Sequence, residues 1–164
     1  AMLVVAANRS FVRNIEALVR EKKLELQVIE TNFFGAKYAL GVNYPETDMK
    51  RVLVAVVEGD RVDAGVLNKG KLERHDCAQI PNQEALMDFL GRMAPPGKVD
   101  EVYLSGGSAT HALVIAVKER LRIAVEMLNP ARKLRLKRRY AKKNEFAGVE
   151  YRFASVIGCA LRRQ

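Results

Sequence analysis

The chain contains no tryptophan, and aromatic residues make up only 7% of its 164 positions. The interior therefore has to be assembled from Val, Leu, Ile and Ala. Cysteine is scarce too. Cys77 and Cys159 stand apart with no C-x-x-C pair, which excludes a disulfide framework or a cysteine-held zinc and fits a reducing, cytoplasmic setting. Long apolar runs are missing. The longest, "VLVAVV" (Val52–Val57), falls far short of the roughly 20 residues that cross a bilayer. The opening "AMLVVAA" has no basic segment ahead of it, so it does not read as a signal peptide. Ala1 before Met2 reads as a cloning remnant, which leaves Met2 as either the native start or a point inside a longer gene. Acidic side chains are in deficit, 19 against 28 basic, for a net charge of +9. Such a surface attracts polyanions: nucleic acid, anionic lipid or an acidic partner. The length fits one domain, or a domain with a small appendage, and a chain of this size buries roughly 70% of its unfolded surface without staples.

What is present is a regular alternation of elements. "LVVAA" (Leu3–Ala7) reads as a buried strand. The following segment places Phe11, Ile15, Leu18 and Val19 on one helical face, with Asn8 or Ser10 as its cap. "LELQVIE" alternates apolar and polar residues as a half-buried strand does, and "NFFGAKYAL" reads as a short helix. Residues 1–40 thus form a β-α-β-α extension. Residues 41–50, polar and carrying Pro45, are the linker, and residues 51–164 form the main subdomain. There, "RVLVAVV", "RVDAGVL" and "KLERHDC", separated by the turns "EGD" and "NKG", predict a β-meander. A helix follows with Leu86, Phe89, Leu90 and Met93 inward, ended by "APPG". Then come the strand "VDEVYL", the turn "SGGSA", a helix, the strand "IAVEML", a basic stretch and a last helix. The predicted order from Arg51 is βββαβαβα, the half-unit of ribonuclease-H-like and actin-like α/β folds, whose crossovers are right-handed.

The turn "LSGGSAT" (Leu104–Thr110) carries the functional question. Its glycines permit positive φ and close backbone approach, and the helix behind it offers free N–H groups and a positive dipole end. Those features suit a nucleotide, and they equally suit a plain strand-to-helix turn. Ser105, Gly106, Gly107, Ser108 and Ala109, then Asn129–Pro130, then Gly158, Ala160, Leu161 and Arg162 resemble the end of the PilM family, actin-like proteins of type IV pilus assembly related to the cell-division protein FtsA. In that family a strand enters S/T-G-G-[GS]-A, a later strand ends near Asn-Pro, and a final helix reads A-x-G-L-A-L-R. "LVVAANRSFVRNIEALVREKKLELQVIETNFFGAKYAL" resembles the segment just upstream. The resemblance covers most of this chain but only the family's middle and C-terminal portion.

It implies that Gly106, Gly107 and Ser108 lie against the adenosine of ATP or ADP, with magnesium as the accompanying ion. It also implies a hairpin D-I-G-x-x-x-T for the phosphates, and here the pattern fails. The matching stretch is "VLVAVVEGDRVDAG", with Ala55 where the acid belongs, Val57 near the glycine, and two carboxylates, Glu58 and Asp60, in the turn. Metal-assisted phosphoryl transfer needs a carboxylate to place the metal or water, and close backbone donors for the phosphates. The family's first half, with the other phosphate loop, is absent from this sequence, and the short segment before "SGG" leaves no room for the residues that clamp the base. The same missing acid argues against a two-metal nuclease.

The basic stretch Arg132, Lys133, Arg135, Lys137, Arg138, Arg139, Lys142 and Lys143 contains no acid. It suits an anionic membrane surface or an acidic partner; nucleic acid, with Tyr140 stacking, is the second reading. A solvated excursion, or an edge hairpin guarded by lysines with Leu134, Leu136 and Tyr140 alternating, is the bland one. His75 and His111 have no metal spacing. His75 and Cys77 can share a strand face, though the cysteine reads as structural. Ser105 and Ser108 read as turn and cap residues, and Gly158-Cys159-Ala160 as a small patch that lets the last helix press on the sheet. No metal site, no cofactor and no catalytic residue is predicted, a bound ATP or ADP with magnesium being the alternative. The expected function is a non-catalytic, cytoplasmic, PilM-like scaffold of a type IV pilus or type II secretion-like platform, peripheral to the inner membrane. Its implied partner is the cytoplasmic tail of a PilN-like membrane protein, and a homo-oligomer is compatible with the sequence. The alternatives are an actin-like ATPase and a nucleic-acid-binding module.

Overall fold

The computed structural model describes residues 7–134 and 146–162. The chain divides into two compact units, Ala1–Glu30 and Thr31–Gln164. In the first, helix α1 (Arg9–Glu21) starts at the expected cap, where Asn8 Oδ1 accepts the Ser10 amide hydrogen at 2.9 Å. No residue of α1 is buried, and Phe11 and Leu18 are exposed. The strand expected at "LELQVIE" does not form. Alternation makes a strand only where a neighbouring strand takes up its backbone groups, and among the described residues none does. The strand expected at Leu3–Ala7 lies, apart from Ala7, outside the described residues.

The second unit is built on a five-stranded sheet. Strands β1 (Arg51–Glu58), β2 (Arg61–Asn68) and β3 (Lys71–Gln79) form the predicted antiparallel meander. After α3 (Gln83–Met93), β4 (Glu101–Ser105) joins β1 in parallel; after α4 (His111–Leu121), β5 (Ala124–Met127) joins β4 in parallel. The sheet order is β3-β2-β1-β4-β5. A final helix, α5 (Ala154–Leu161), follows a short 3-10 turn at Glu150–Phe153. The described elements thus follow the order βββαβαβα expected from the sequence.

β1 is apolar from Val52 to Val57 because the central strand of such a sheet is covered on both faces. Leu53, Ala55 and Val57 point into one core with Val62, Ala64, Val66 and the α3 residues Leu86, Phe89 and Leu90. Val52, Val54 and Val56 point into the other, with Phe33, Leu40, Tyr44, Tyr103 and Leu128. The second core is roofed by α2 (Asn32–Asn43) and α5. α2 is longer than expected and runs into the stretch read as a linker. That stretch continues as a 3-10 turn, Pro45–Met49, and it is not a loose connector: Asn43, Tyr44 and Thr47 are all buried. Pro45 pre-sets the first φ of the turn, while Tyr44 drops into the core ahead of it.

The small residues of the last helix act on a different neighbour from the one expected. Gly158 faces α2, not the sheet: a Cβ placed on it would lie 2.6 Å from the Gly35 carbonyl carbon and 3.0 Å from the Ala39 nitrogen. Ser155 Oγ also donates to the Asn32 carbonyl at 3.0 Å.

In the same core the Tyr44 and Tyr103 rings meet edge to face at 5.0 Å. Their hydroxyls donate to Glu126 at 3.1 Å and Glu101 at 2.9 Å. Burial, and then the neighbouring carboxylate, push the Tyr44 phenol up to about 12 and the Tyr103 phenol up as well. In the unfolded chain both phenols ionise near pH 10. Above that pH the unfolded state binds fewer protons than the folded one, so stability falls as pH rises; below it both states are neutral and no dependence remains. Lys50, raised by its bond to Glu101, acts in the same direction. Urea midpoints should drop between about pH 10 and 11.5, less steeply in Tyr44→Phe. A flat profile contradicts the assignment.

Candidate functional site

The "SGGSA" turn sits where β4 hands over to α4. Ser105 is not a turn residue but the last residue of β4, fully buried, and its hydroxyl has no partner among the described residues. Gly106 takes φ +101°, and its amide donates to the Tyr151 carbonyl at 3.1 Å. The Ser108 amide donates to the Val57 carbonyl at 3.0 Å, and Ser108 Oγ accepts the Gly59 amide hydrogen at 2.8 Å. The helix cap is Thr110 rather than Ser108, with Thr110 Oγ1 accepting the Leu113 amide hydrogen at 3.1 Å. The turn is therefore fastened to the β1–β2 hairpin by the amide and the hydroxyl of Ser108. A carboxylate lies beside its middle residue: a Cβ at Gly107 would meet Glu58 Oε2 at 2.9 Å.

Next to the turn, a cleft of about 410 Å³ opens between the β1–β2 hairpin and the first turns of α3 and α4. Val57, Leu86 and Leu113 supply apolar walls, and Asn82 and Thr110, the two helix caps, supply polar ones. Two helix N-termini give it a mildly positive end. Among the described residues lining it Asp60 alone is ionisable, and its carboxylate accepts from Gln79 Nε2 at 2.9 Å. Among the described residues no lysine or arginine lines this cleft, and none forms a pair of side chains there able to relay a proton.

His75 is engaged structurally. Its Nε2 lies 2.7 Å from Asp63 Oδ1, and Asp63 Oδ2 accepts the Phe33 amide hydrogen at 3.0 Å. Asp63, from β2, so fills the capping role at α2 that Thr31 leaves open. The His75 ring lies against Phe33 and Phe34. Register places His75 opposite Gly65 and Cys77 opposite Asp63, so His75 and Cys77 do share a face, with Cys77 exposed. His111 is the exposed first residue of α4.

Of the basic stretch, Arg132 and Lys133 are described; Arg135, Lys137, Arg138, Arg139, Lys142 and Lys143 lie outside the described residues, as does most of the expected hairpin. Arg132 is committed within the chain, pairing with Glu46 at 2.5 Å and lying 4.5 Å over the Tyr44 ring. The sequence did not reveal the clamp to which this pair belongs. Buried Asn43 donates to the carbonyls of Ala39 at 2.9 Å and Pro130 at 2.7 Å, and accepts the Lys133 amide hydrogen at 2.8 Å. Tyr44 OH accepts the Asn129 amide hydrogen at 3.0 Å. The segment leaving β5 is thereby pinned to the end of α2, and the Asn129–Pro130 corner is one jaw of the clamp. A polar Asn-Tyr pair in an apparent linker was the available signal.

No protein-family model and no curated protein matches the chain. Among solved structures, PilM in the "PilM-PilN type IV pilus biogenesis complex" superposes with a TM-score of 0.78 at 16% identity, over 92% of this chain and 57% of that one. The fold is actin-like. Two further actin-like comparisons agree. The ethanolamine utilization protein EutJ from Carboxydothermus hydrogenoformans matches with a TM-score of 0.56 at 16% identity, over 91% of this chain and 61% of that one. A Bacteroides thetaiotaomicron protein of actin-like ATPase fold and unknown function matches with a TM-score of 0.53 at 14% identity, over 78% and 49%. The chain therefore spans between 49% and 61% of the length of these relatives, consistent with an actin-like half-domain. Within it, Gly106, Gly107 and Ser108 lie beside the β1–β2 hairpin. Among the described residues no helix is long and apolar enough to cross a membrane.

Proposed function

We propose that the chain is a non-catalytic, PilM-like scaffold, cytoplasmic and peripheral to the inner membrane, in the platform of a type IV pilus or a type II secretion-like machine. Its partner on this reading is the cytoplasmic tail of a PilN-like membrane protein. One observation carries the reading: the closure of the "SGGSA" turn on the hairpin. Ser108 gives its amide to Val57 and receives Gly59 at its hydroxyl, while Glu58 holds a negative charge beside Gly107. In an actin-like body this is where phosphate chemistry requires an acid on β1 and open backbone donors, and β1 carries Ala55 and Val57 instead. Likeness to the PilM half of a PilM–PilN complex supports the choice of machine.

Isothermal titration tests it. ATP with magnesium should give no saturable heat, whereas a synthetic tail from a membrane protein encoded beside this gene should bind. Tight ATP binding with turnover would reverse the assignment in favour of the ATPase. That second reading has the cleft beside the turn, with its two helix N-termini, on its side. For the nucleic-acid reading, a salt-sensitive gel shift abolished by alanine at Arg135, Lys137, Arg138 and Arg139 is the deciding result.

A further inference from the structure

The outer face of the last helix is apolar where a solvent-facing helix is normally charged. α5 (Ala154–Leu161) carries no charged side chain. Its one hydroxyl, Ser155 Oγ, is turned to the Asn32 carbonyl of α2. Ala154 and Gly158 are buried, and Gly158 lies against α2. Val156, Cys159 and Ala160 are exposed, Val156 to 71%. At 3.6 residues per turn these three fall within about 100° of circumference, on the side away from Ala154 and Gly158. A helix apolar all round belongs in an interior, and among the described residues this one is covered on one side alone.

The stripe continues past the start of the helix. Phe153, three positions before Val156, is 38% exposed, and Phe146 is 49% exposed. Their rings meet edge to face at 5.3 Å, so the pair forms one aromatic surface rather than two separate side chains. Charge stands only at the margins, as Glu150 and Arg152 before α5 and Arg162 after it. Single exposed apolar residues are ordinary on a protein surface. A joined run of five, from Phe146 and Phe153 through Val156 to Cys159 and Ala160, marks a contact surface.

We infer that this face pairs with the same face of a second copy of the chain, the two α5 helices antiparallel across a two-fold axis. The charge pattern selects the occupant. An anionic membrane or an acidic peptide finds no cation within the stripe, whereas two uncharged stripes meet without repulsion. An axis between Val156 and Cys159 sets Phe153 of each copy level with Arg162 of the other. Arg162, 5.9 Å from the Tyr38 ring within its own chain, then gains a second aromatic face at the margin. One helix and two rings bury less than the roughly 1,200 Å² of a stable interface, so the pairing is weak and reversible, with a Kd of the order of 100 µM. Each copy also carries a net charge of +9, which opposes approach until salt screens it. The inference goes beyond the scaffold reading and does not depend on it.

Sedimentation velocity of the full chain from about 10 µM to about 1 mM tests it. The average mass should climb toward that of a dimer with concentration, and climb further as salt rises from about 100 to about 500 mM. Val156→Lys places a charge in the middle of the stripe and leaves the core alone, and should weaken association about tenfold or more. Ala160→Glu should act alike, with thermal melts matching the parent chain to show that both variants fold. In a Cys77→Ser background a short bismaleimide should join two copies through Cys159, and the yield should fall with Val156→Lys. A chain that stays monomeric at every concentration and salt overturns the inference. So does a dimer, or a Cys159 cross-link, that Val156→Lys leaves unchanged. Val156 methyl signals that move only with phosphatidylglycerol vesicles, or only with the synthetic tail peptide, give the face to that partner and overturn it as well. None of these results bears on the ATP titration that tests the scaffold reading.

Discussion

Gly158→Ala should destabilise the protein by roughly 3 kcal/mol, with a fall in Tm of the order of 10 °C for a chain this long. The methyl group would occupy space already held by backbone, within 2.6 Å of the Gly35 carbonyl carbon. Backbone cannot rotate aside as a side-chain tip does, so α2 and α5 would have to separate. Separation would open the core beneath them, where Phe33, Ala36 and Ala154 are all buried. It would also pull Ser155 away from the Asn32 carbonyl. Gly35→Ala should behave alike, since its Cβ would lie 2.8 Å from Ser155 Cα. Gly41→Ala is the control. Gly41 lies in the same helix with nothing within 4 Å of an added Cβ, so alanine there should be neutral or stabilise by about 0.5–1 kcal/mol through helix propensity. Thermal melts of the three variants settle the matter; an unchanged Gly158→Ala melt refutes the packing account.

That contact shows what the sequence made readable and what it hid. Strands and helices from Arg51 onward were legible because each follows one simple period: continuous apolar residues in β1, alternation in β2, and a 3.6-residue stripe in α3. The small residues of the last helix were legible as a close-packing surface. Their target was not, because α2 and α5 lie more than a hundred positions apart and small residues do not name a partner. "LELQVIE" misled for a related reason: alternation states that a segment can pair, not that a neighbour is present. The roles of Asn43, Tyr44 and Asp63 were hidden because long-range side-chain hydrogen bonds leave no periodic trace. Of the candidate site, the absence of an acid at Ala55 could be read directly from the chain. The fastening of Ser108 to Val57 and Gly59 depended on the β1–β4 register.

The two glycines of the turn should respond very differently to alanine, and the contrast bears on function. Gly106→Ala should cost roughly 3 kcal/mol or more. At φ +101° an L-residue is strained, and its Cβ would lie 2.9 Å from the Val57 nitrogen and closer still to the Val57 carbonyl oxygen. The turn would have to lift off β1, breaking the Gly106–Tyr151 and Ser108–Val57 hydrogen bonds. Gly107→Ala should cost under about 1 kcal/mol, because its Cβ meets the end of the flexible Glu58 side chain, which can swing into solvent. Gly106 is thus explained by packing alone, and its presence is no evidence for a nucleotide. Gly107 is the glycine whose openness a ligand would use, and Glu58 stands over it. Measured by urea denaturation, a large loss at Gly106 with a small one at Gly107 fits a turn kept for architecture. If Gly107→Ala, folded and stable, instead abolished a measurable ATP affinity, the turn would be a nucleotide site and the scaffold reading would give way to the ATPase.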